Sequence, residues 1–327
     1  MKKVLVTGGA GYIGSILVPK LISNGFDVRV LDLMIFGSQG LKSVSEQCEI
    51  MKGDIRDSKL VEKCLGGIDS VIHLAAISND PCSDLNPKLT KEVNLEATKN
   101  LVESAQVNSI KRFIYASSSS VYGIREEPDI TEELSLKPLT IYSETKAESE
   151  VFVREANTKD FTTVILRPAT VCGYSPRMRL DLTVNILTEQ AINKGKITVF
   201  GGKQKRPNIH IEDITDYYIS LLKIEKEKIA GETFNAGYEN HTLLQIAELI
   251  KEVIGDVGIV TTETNDLRSY HISSRKIKDR LGFYPQKTIK DAVTDLKYAF
   301  SKGLIPNPSD TIYRNIARMK EIGIENF

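Results

Sequence analysis

The sequence predicts an α/β fold with a doubly wound parallel sheet, followed by a smaller C-terminal α/β domain. Short apolar runs alternate with longer amphipathic segments through the first half of the chain, which is typical of parallel strands joined by helices. A glycine-rich turn lies between the first predicted strand and the first predicted helix. Loops containing glycine and proline then separate the shorter elements of the second half.

The predicted strands are short apolar runs, as expected for a sheet covered on both faces. They cover residues 4–7, 28–31, 50–52, 70–74, 112–116 and 163–166, and the longest predicted helices cover residues 12–23, 88–106 and 141–157. We expect residues 1–173 to form the first domain. Residues 174–327 should form mainly a second, substrate-binding domain, with some segments returning to the first.

Composition excludes several classes of partner. The 327 residues include 43 basic and 43 acidic side chains, so a general nucleic-acid or membrane surface is not expected. No apolar run reaches the roughly 18 residues of a membrane span, and no export signal is recognised, which favours a cytoplasmic location. The four cysteines, Cys48, Cys64, Cys82 and Cys172, lack metal-ligand spacing and are expected to be free thiols, with no metal site.

The glycine-rich turn indicates a nucleotide site. Gly8, Gly11 and Gly14 recur every third residue, with Tyr12 and Ile13 inside the turn. Without side chains, the backbone can approach a pyrophosphate, and the following helix directs its N–H groups at the anion. A tight connection without a ligand is the simpler alternative, but the position between strand and helix favours dinucleotide binding in a Rossmann arrangement.

Asp32 ends the second predicted strand, 18 residues after Gly14. A carboxylate at this point can accept hydrogen bonds from both adenosine ribose hydroxyls, and it would repel a 2′-phosphate. We therefore expect NAD as the cofactor rather than NADP. The alternative is that Asp32 only caps a helix in the following loop.

With these residues the chain resembles the extended short-chain dehydrogenase/reductase family, whose members include NAD-dependent nucleotide-sugar epimerases and dehydratases. The resemblance covers about residues 2–285. It implies that further cofactor contacts come from Asp54, Ile55, Leu74, Ala75, Ala76, Asn94 and Pro168. In relatives the asparagine equivalent to Asn94 supports the active-site backbone. His73, beside this set, is expected to be a packed strand-end residue rather than a catalyst.

Tyr142 and Lys146 form a Y-x-x-x-K pair on the predicted helix 141–157. Positions four apart share one face of a helix, and an ammonium beside a phenol favours the phenolate, which can then accept a proton. Tyr298 and Lys302 match the same pattern by chance. Placement separates the two pairs, because only Tyr142 follows a serine-rich strand end, where Ser118 resembles the catalytic serine of the family.

The family likeness extends to the substrate side. Ser119 and Ser120 are expected beside the sugar, together with Thr170, which replaces the asparagine common in relatives; Cys172 replaces a common tyrosine, and an acid/base role for it is the less favoured alternative. Asn185, Arg206 and Arg268 resemble residues that contact the substrate diphosphate, with Arg177 and Arg179 as further candidates. For any of these arginines, a solvated surface role is the alternative.

The resemblance implies oxidation at C4 of a nucleotide-activated sugar. Dehydratases of the family carry an acidic pair where this chain has Ser119 and Ser120, so a 4-epimerase is favoured. The alternatives are a 4-dehydrogenase or 4-keto reductase that releases its product to a polysaccharide, deoxysugar or heptose pathway, and a non-catalytic NAD(H) sensor or scaffold. The resemblance also implies a homodimer formed through helices 88–106 and 141–157. The tail after Tyr298 carries no recognised motif.

Overall fold

The fold was analysed in a computed structural model that describes residues 2–125, 127, 129–264, 269 and 271–324. In chain order its strands are β1 (Lys3–Thr7), β2 (Asp27–Asp32), β3 (Glu49–Lys52), β4 (Ser70–His73), β5 (Arg112–Ala116), β6 (Thr162–Pro168), β7 (Thr170–Cys172), β8 (Lys196–Phe200), β9 (Lys205–His210), β10 (Glu232–Ala236), β11 (Glu239–Thr242) and β12 (Gly258–Thr262).

The α-helices alternate with these strands in the first half and cluster in the second. They are α1 (Gly14–Ser23), α2 (Ser58–Leu65), α3 (Asp80–Ser83), α4 (Pro87–Lys91), α5 (Ala97–Val107), α6 (Ile141–Glu155), α7 (Thr183–Lys194), α8 (Ile211–Lys223), α9 (Leu243–Ile254), α10 (Arg275–Leu281), α11 (Ile289–Ser301) and α12 (Asn315–Glu321). A π-helical turn, Glu92–Glu96, joins α4 to α5, so the predicted helix 88–106 is one continuous helical stretch.

The main sheet has seven parallel strands in the order β10-β6-β5-β4-β1-β2-β3. The strand order reverses beside β1, which pairs with both β2 and β4. Open sheets of this kind bind ligands at such a reversal, outside the carboxyl ends of the strands. The predicted doubly wound parallel sheet is confirmed, and its six predicted strands agree to within two residues. The seventh strand, β10, was not predicted because its sequence, Glu-Thr-Phe-Asn-Ala, has no continuous apolar run.

Alternating side chains of the strands supply cores on both faces of this sheet. Val4 and Val6 of β1 pack toward α1 and α8, whereas Leu5 packs toward α2, α5 and α6. Lys20 of α1 forms an ion pair with Glu212 of α8. Two elements from the second half, α8 and β10, therefore belong to the layers of the main sheet.

The remaining second half forms a smaller unit beside the carboxyl edge. Strand β9 pairs with β7 in parallel and with β11 in antiparallel orientation, and β8 pairs with β12 in parallel. Helices α7, α9 and α11 pack around one apolar cluster. The C-terminal residues turn back to the main sheet, where Met319 and Ile324 pack with Ile77 and Leu89.

No helix within the described ranges is both long and apolar enough to cross a bilayer.

Candidate active site

A cavity of about 370 Å³ opens at the carboxyl edge of the main sheet. Its wall contains most of the residues predicted from sequence, which come from the carboxyl ends of β1 to β6, from the segments that follow these strands, and from α6. Those residues are Gly8, Gly11, Tyr12, Ile13, Gly14, Asp32, Asp54, Ile55, Leu74, Ala75, Ala76, Ser118, Ser119, Ser120, Tyr142, Lys146, Pro168 and Thr170. The parallel strands therefore bring distant motifs to one place.

The glycine turn allows backbone to come unusually close to backbone. Gly8 has φ +72°, and a Cβ atom added there would lie 2.7 Å from the amide nitrogen of Ala75. A Cβ atom on Gly14 would lie 2.4 Å from the carbonyl oxygen of Gly9. Larger residues at either position would push the chain apart. The N-terminal N–H groups of α1 consequently face a cradle that suits a pyrophosphate.

Asp32 is held at the end of β2 by two backbone donors. The amide of Ala10 donates to Oδ2 at 2.9 Å, and that of Met34 donates to Oδ1 at 2.7 Å. Burial raises the pKa of Asp32, whereas the two N–H groups and the nearby charge of Arg177 act in the opposite direction. Each carboxylate oxygen keeps acceptor capacity for a ribose hydroxyl.

Asp54 is also fixed within the wall. Arg56 donates to its Oδ2 from Nε at 3.0 Å and from Nη2 at 2.7 Å, and Arg56 also pairs with Glu92. Burial raises the pKa of Asp54, but the hydrogen bonds from Arg56 outweigh it, so the net pKa lies below the usual value. The neighbouring Ile55 supplies an apolar contact surface.

Among the described residues that line the first cavity, Asn94 is the one predicted cofactor residue that is missing. Its side chain accepts from the amide of Ile77 at 2.8 Å and donates to the carbonyl of Ile77 at 3.0 Å. It also donates to Thr145 Oγ1 at 3.4 Å, which connects the loop after β4 to α6. Its position supports backbone beside the cavity, and a direct cofactor contact stays a prediction.

The start of α6 directs the Y-x-x-x-K pair at the cavity. Thr140 and Ser143 form a capping box, so the helix begins at Ile141 and Tyr142 lies in its first turn. Lys146 is buried one turn later, and its Nζ donates to the carbonyl of Ala116 at 2.7 Å. Burial lowers the pKa of Lys146 to about 7, against the opposing effect of the Glu150 charge.

A buried ion pair lies directly behind this lysine. Arg167 of β6 donates to Glu150 from Nε at 2.9 Å and from Nη2 at 2.6 Å. Ser117 donates to the same carboxylate at 2.5 Å, and Arg167 also donates to the hydroxyl of Tyr122. This network was not predicted from the sequence. The available signal was Glu150, which lies four residues after Lys146 on the same helix face.

The serine run follows β5 and turns sharply into the cavity. Ser118 caps a short 3₁₀ helix, Ser119–Tyr122, and accepts from the amide of Ser120 at 3.2 Å and from its hydroxyl at 2.9 Å. Ser119 is buried, whereas Ser118 and Ser120 are partly exposed. Three hydroxyls therefore lie at the end of β5, and positions 119 and 120 carry no carboxylate.

His73 has the structural role expected of it. Its Nδ1 lies 2.6 Å from Thr7 Oγ1 and its Nε2 lies 2.8 Å from Thr98 Oγ1. The ring packs on Phe113 and Tyr115. Burial and the nearby Lys146 charge lower the pKa of His73 to about 3, so the imidazole is neutral at physiological pH.

A second cavity of about 250 Å³ adjoins the first and suits a substrate. The two cavities share wall residues, among them Asp80, Ser120 and Thr170. Arg206 lines only the second. Asp80, the first residue of α3, was not predicted from the sequence; its carboxylate accepts a hydrogen bond from Thr140 at 2.6 Å. Arg268, the other predicted diphosphate ligand, lies outside the described residues.

Two other substrate-side candidates, Asn185 and Cys172, line neither cavity. Asn185 is fully buried: its Oδ1 accepts from the amide of Gly173, and its Nδ2 donates to Tyr12 and to the carbonyl of Arg179. These three hydrogen bonds engage both the oxygen and the nitrogen of its side-chain amide, and a contact of Asn185 with substrate stays a prediction. Cys172 is buried and belongs to neither cavity wall. Burial raises the pKa of its thiol, which argues against an acid/base role.

Arg177 and Arg179 line the first cavity rather than the second. Arg179 is paired with Asp181 at 2.9 Å, which largely neutralises its charge. Arg177 lies close to Asp32 and is hydrogen-bonded to Asn315 of the C-terminal helix. Both arginines therefore lie on the side of the predicted cofactor, although the sequence had suggested them as further candidates for the substrate diphosphate.

The wall of the first cavity fits NAD. The glycine cradle suits a pyrophosphate, Asp32 suits a ribose diol, and the apolar residues Ile55 and Ala75 suit flat rings. Tyr142, Lys146 and Pro168 would hold the nicotinamide end. When bound, NAD supplies a reversible hydride acceptor.

Comparison with known proteins agrees with this geometry. The model of the NAD dependent epimerase/dehydratase family matches residues 4–237. UDP-glucose 4-epimerase of Lactobacillus helveticus is 32% identical, over 92% of this chain and 97% of its own length. The UDP-glucose 4-epimerase structure of Thermotoga maritima with UDP-glucose has a TM-score of 0.82 and 26% identity, covering 92% and 99% of the two chains.

The fold is shared with enzymes of a different reaction. DesIV of Streptomyces venezuelae, a dTDP-glucose 4,6-dehydratase with NAD and TYD bound, has a TM-score of 0.83 at 24% identity and covers 92% and 98% of the chains. Similarity at that level concerns the fold alone. The family match and the L. helveticus relative go further, and the chain belongs to the NAD-dependent epimerase/dehydratase family.

Proposed function

We propose that the protein is a nucleotide-sugar 4-epimerase that oxidises and re-reduces C4 of a nucleoside diphosphate hexose. The observation that carries the proposal is the first cavity, whose wall combines Tyr142 and Lys146 with three serine hydroxyls and lacks an acidic pair at Ser119 and Ser120. The relative named UDP-glucose 4-epimerase at 32% identity supports a uridine diphosphate sugar as the substrate.

Tyr142 is the proposed acid/base. As a phenolate it accepts the proton of the sugar C4 hydroxyl, and it returns that proton when the C4 ketone is reduced. The Lys146 ammonium stabilises the phenolate, and Ser118 donates a hydrogen bond to the C4 oxygen. The Ala116 carbonyl holds Lys146 in place, so the charge is fixed before substrate arrives.

Epimerisation needs the keto sugar to present its other face before reduction. The adjoining second cavity, which shares Asp80, Ser120 and Thr170 with the first, gives the sugar space on the side away from the cofactor. Arg206, which lines that cavity, would hold the diphosphate while the sugar turns. The nucleotide would thus remain bound through both half-reactions.

Two alternatives lead to different products. A 4-dehydrogenase or 4-keto reductase would release the keto sugar instead of turning it, and a non-catalytic NAD(H) sensor would give no product. The preserved Tyr142 and Lys146 favour turnover over sensing. Dehydration would need a base and an acid on neighbouring sugar carbons, and Ser119 and Ser120 supply neither.

The test is incubation of the purified protein and NAD with UDP-, dTDP- and GDP-hexoses, read by chromatography and mass spectrometry. We expect an isomer of unchanged mass from at least one UDP-hexose, formed in both directions. A 4-keto sugar that accumulates with stoichiometric NADH would identify a dehydrogenase. A product lighter by one water, formed by wild type but not by Tyr142→Phe, would contradict the conclusion that a site with Ser119 and Ser120 does not dehydrate the sugar.

A further inference from the structure

Arg177 lines the first cavity, and part of its guanidinium has no hydrogen-bond acceptor among the described residues. Its side chain is only 5% exposed, and Nη2 donates to Asn315 Oδ1 at 2.6 Å. Within the part of the chain that the structure describes, the buried Nε and Nη1 atoms have no hydrogen-bond partner. Burying donors without acceptors is unfavourable, so a built site of this kind is expected to await an acceptor.

The loop that carries Arg177 is tied to the glycine turn. The hydroxyl of Tyr12 donates to the carbonyl of Gly173 at 2.6 Å, and Ser175 donates to the carbonyl of Tyr12 at 2.8 Å. Both bonds are buried, so the loop moves with the N-terminus of α1. Arg177 follows two residues later, beside the cradle where an anion would meet the N–H groups of α1.

The orientation of the guanidinium is fixed on two sides. Its carbon lies 3.9 Å from the centre of the Phe36 ring, which leaves the N–H edges directed away from the ring. Asn315 is fixed in turn, because its side-chain Nδ2 donates to the Ser78 hydroxyl and its backbone N–H donates to the Asp181 carboxylate. Burial lowers the pKa of Arg177 to about 9, so the group remains cationic at neutral pH.

We propose that Arg177 binds a pyrophosphate oxygen of NAD, with Asn315 of α12 as its positioning residue. The inference rests on the proposed binding of NAD in this cavity. It gives the C-terminal segment a role, since Met319 and Ile324 line the same cavity as Asn315. The tail thereby completes the cofactor site that the glycine turn begins.

The pyrophosphate is a better acceptor for Arg177 than the 2′-phosphate of NADP. Asp32 stands beside the arginine, and its carboxylate would repel a phosphate placed at the ribose. No ion pair joins Asp32 to Arg177 among the described residues, so the N–H groups of the guanidinium are not engaged by that carboxylate. A bidentate fork matches the two oxygens of a phosphate.

The experiment is calorimetric titration of wild type and Arg177→Met with NAD, ADP and adenosine. Methionine retains a flexible stem on Phe36 but loses the charged fork. We expect NAD and ADP to bind about tenfold to hundredfold more weakly, as for a lost charge-assisted hydrogen bond, and adenosine to bind as in wild type. Arg275→Met removes an equal charge from an exposed ion pair and is expected to change nothing.

Asn315→Ala tests the positioning role. We expect a smaller loss of NAD affinity, and no added loss when it is combined with Arg177→Met, because both changes remove the same contact. Additive losses would show that Asn315 acts independently of Arg177. If Arg177→Met does not fold, Arg177→Lys takes its place, with weaker binding of NAD and ADP expected because lysine lacks the fork.

The inference is overturned if Arg177→Met binds NAD like wild type, if adenosine is weakened as much as NAD, or if only NADP is affected. The first outcome leaves the guanidinium without a ligand, the second indicates collapse of the pocket, and the third places the arginine at the 2′-position. Failure of wild type itself to bind NAD would instead refute the proposed function.

Discussion

The two ends of the first cavity are built differently. The catalytic end, formed by Ser118, Tyr142 and Lys146, is complete without a ligand: Lys146 is bonded to a carbonyl, and the Glu150–Arg167 pair lies behind it. The nucleotide end, formed by Gly8, Asp32 and Arg177, has a buried guanidinium with two unpartnered nitrogens. The catalytic end is therefore expected to be rigid in the free protein, and the nucleotide end to gain stability when cofactor binds.

Replacing Arg167 by methionine should have the largest effect. It leaves the Glu150 carboxylate buried without its main partner, which typically costs about 3–5 kcal/mol. Chemical denaturation of the cofactor-free protein would measure the change in the free energy of unfolding. Arg154 also pairs with Glu150 but is half-exposed, so Arg154→Met should cost at most about 1 kcal/mol. Equal effects would mean that the buried pair does not support the catalytic end.

Tyr142→Phe should lower the turnover rate at least about a hundredfold while NAD affinity stays the same, because only the proton-transfer group is lost. Steady-state rates with the best sugar nucleotide and NAD titration would show both. Tyr298, which shares the Y-x-x-x-K spacing, is 59% exposed and lines neither cavity, so Tyr298→Phe should retain full activity. Similar rates for the two variants would remove Tyr142 from the mechanism.

The nucleotide end should prefer NAD to NADP by at least about tenfold, because the Asp32 carboxylate repels a 2′-phosphate. Asp32→Asn removes that charge and should lower the ratio of NAD affinity to NADP affinity, mainly because NAD binds more weakly. Titration of both proteins with both cofactors measures the ratio directly. Equal affinities for wild type would contradict the assignment of Asp32 to the ribose.

The buried Lys146 should make the stability of the cofactor-free protein depend on pH. Its folded pKa, lowered to about 7, lies below the unfolded value of about 10.4, so the unfolded chain holds the extra proton between these limits. Unfolding free energy should therefore rise with pH across this window, by up to about 1.4 kcal/mol per unit. Lys146→Met lacks this contribution. Parallel pH profiles for the two proteins would show that the pKa of Lys146 is not lowered in the folded protein.

The smallest effect is expected at the outer surface. We propose that α5 and α6, adjacent on one face of the main sheet, form a homodimer interface, and Val151 on α6 is 46% exposed. Val151→Glu should weaken the dimer, whereas Leu244→Glu on α9 should not. Light scattering at micromolar concentration would give twice the 36.4 kDa of one chain for wild type; a wild-type monomer would refute the interface.

The sequence by itself determined the parts that are local along the chain. Strand and helix periodicity predicted the parallel sheet, and short motifs identified Gly8, Asp32, Ser118 and Tyr142, which all line the first cavity. Such motifs carry their own geometry, since a turn or one helix face fixes the spacing. The correct choice of Tyr142 over Tyr298 for the cavity also came from neighbouring sequence.

Only the tertiary structure decided which distant residues meet. It inserted β10 into the main sheet, paired Glu150 with Arg167, and brought Arg177 and Asn315 to the nucleotide end although they are 138 positions apart. It also gave the Asn185 amide three partners inside the protein, Gly173, Tyr12 and Arg179, which the sequence did not predict. The physical reason is that burial and packing of separate layers, rather than any local periodicity, fix these contacts.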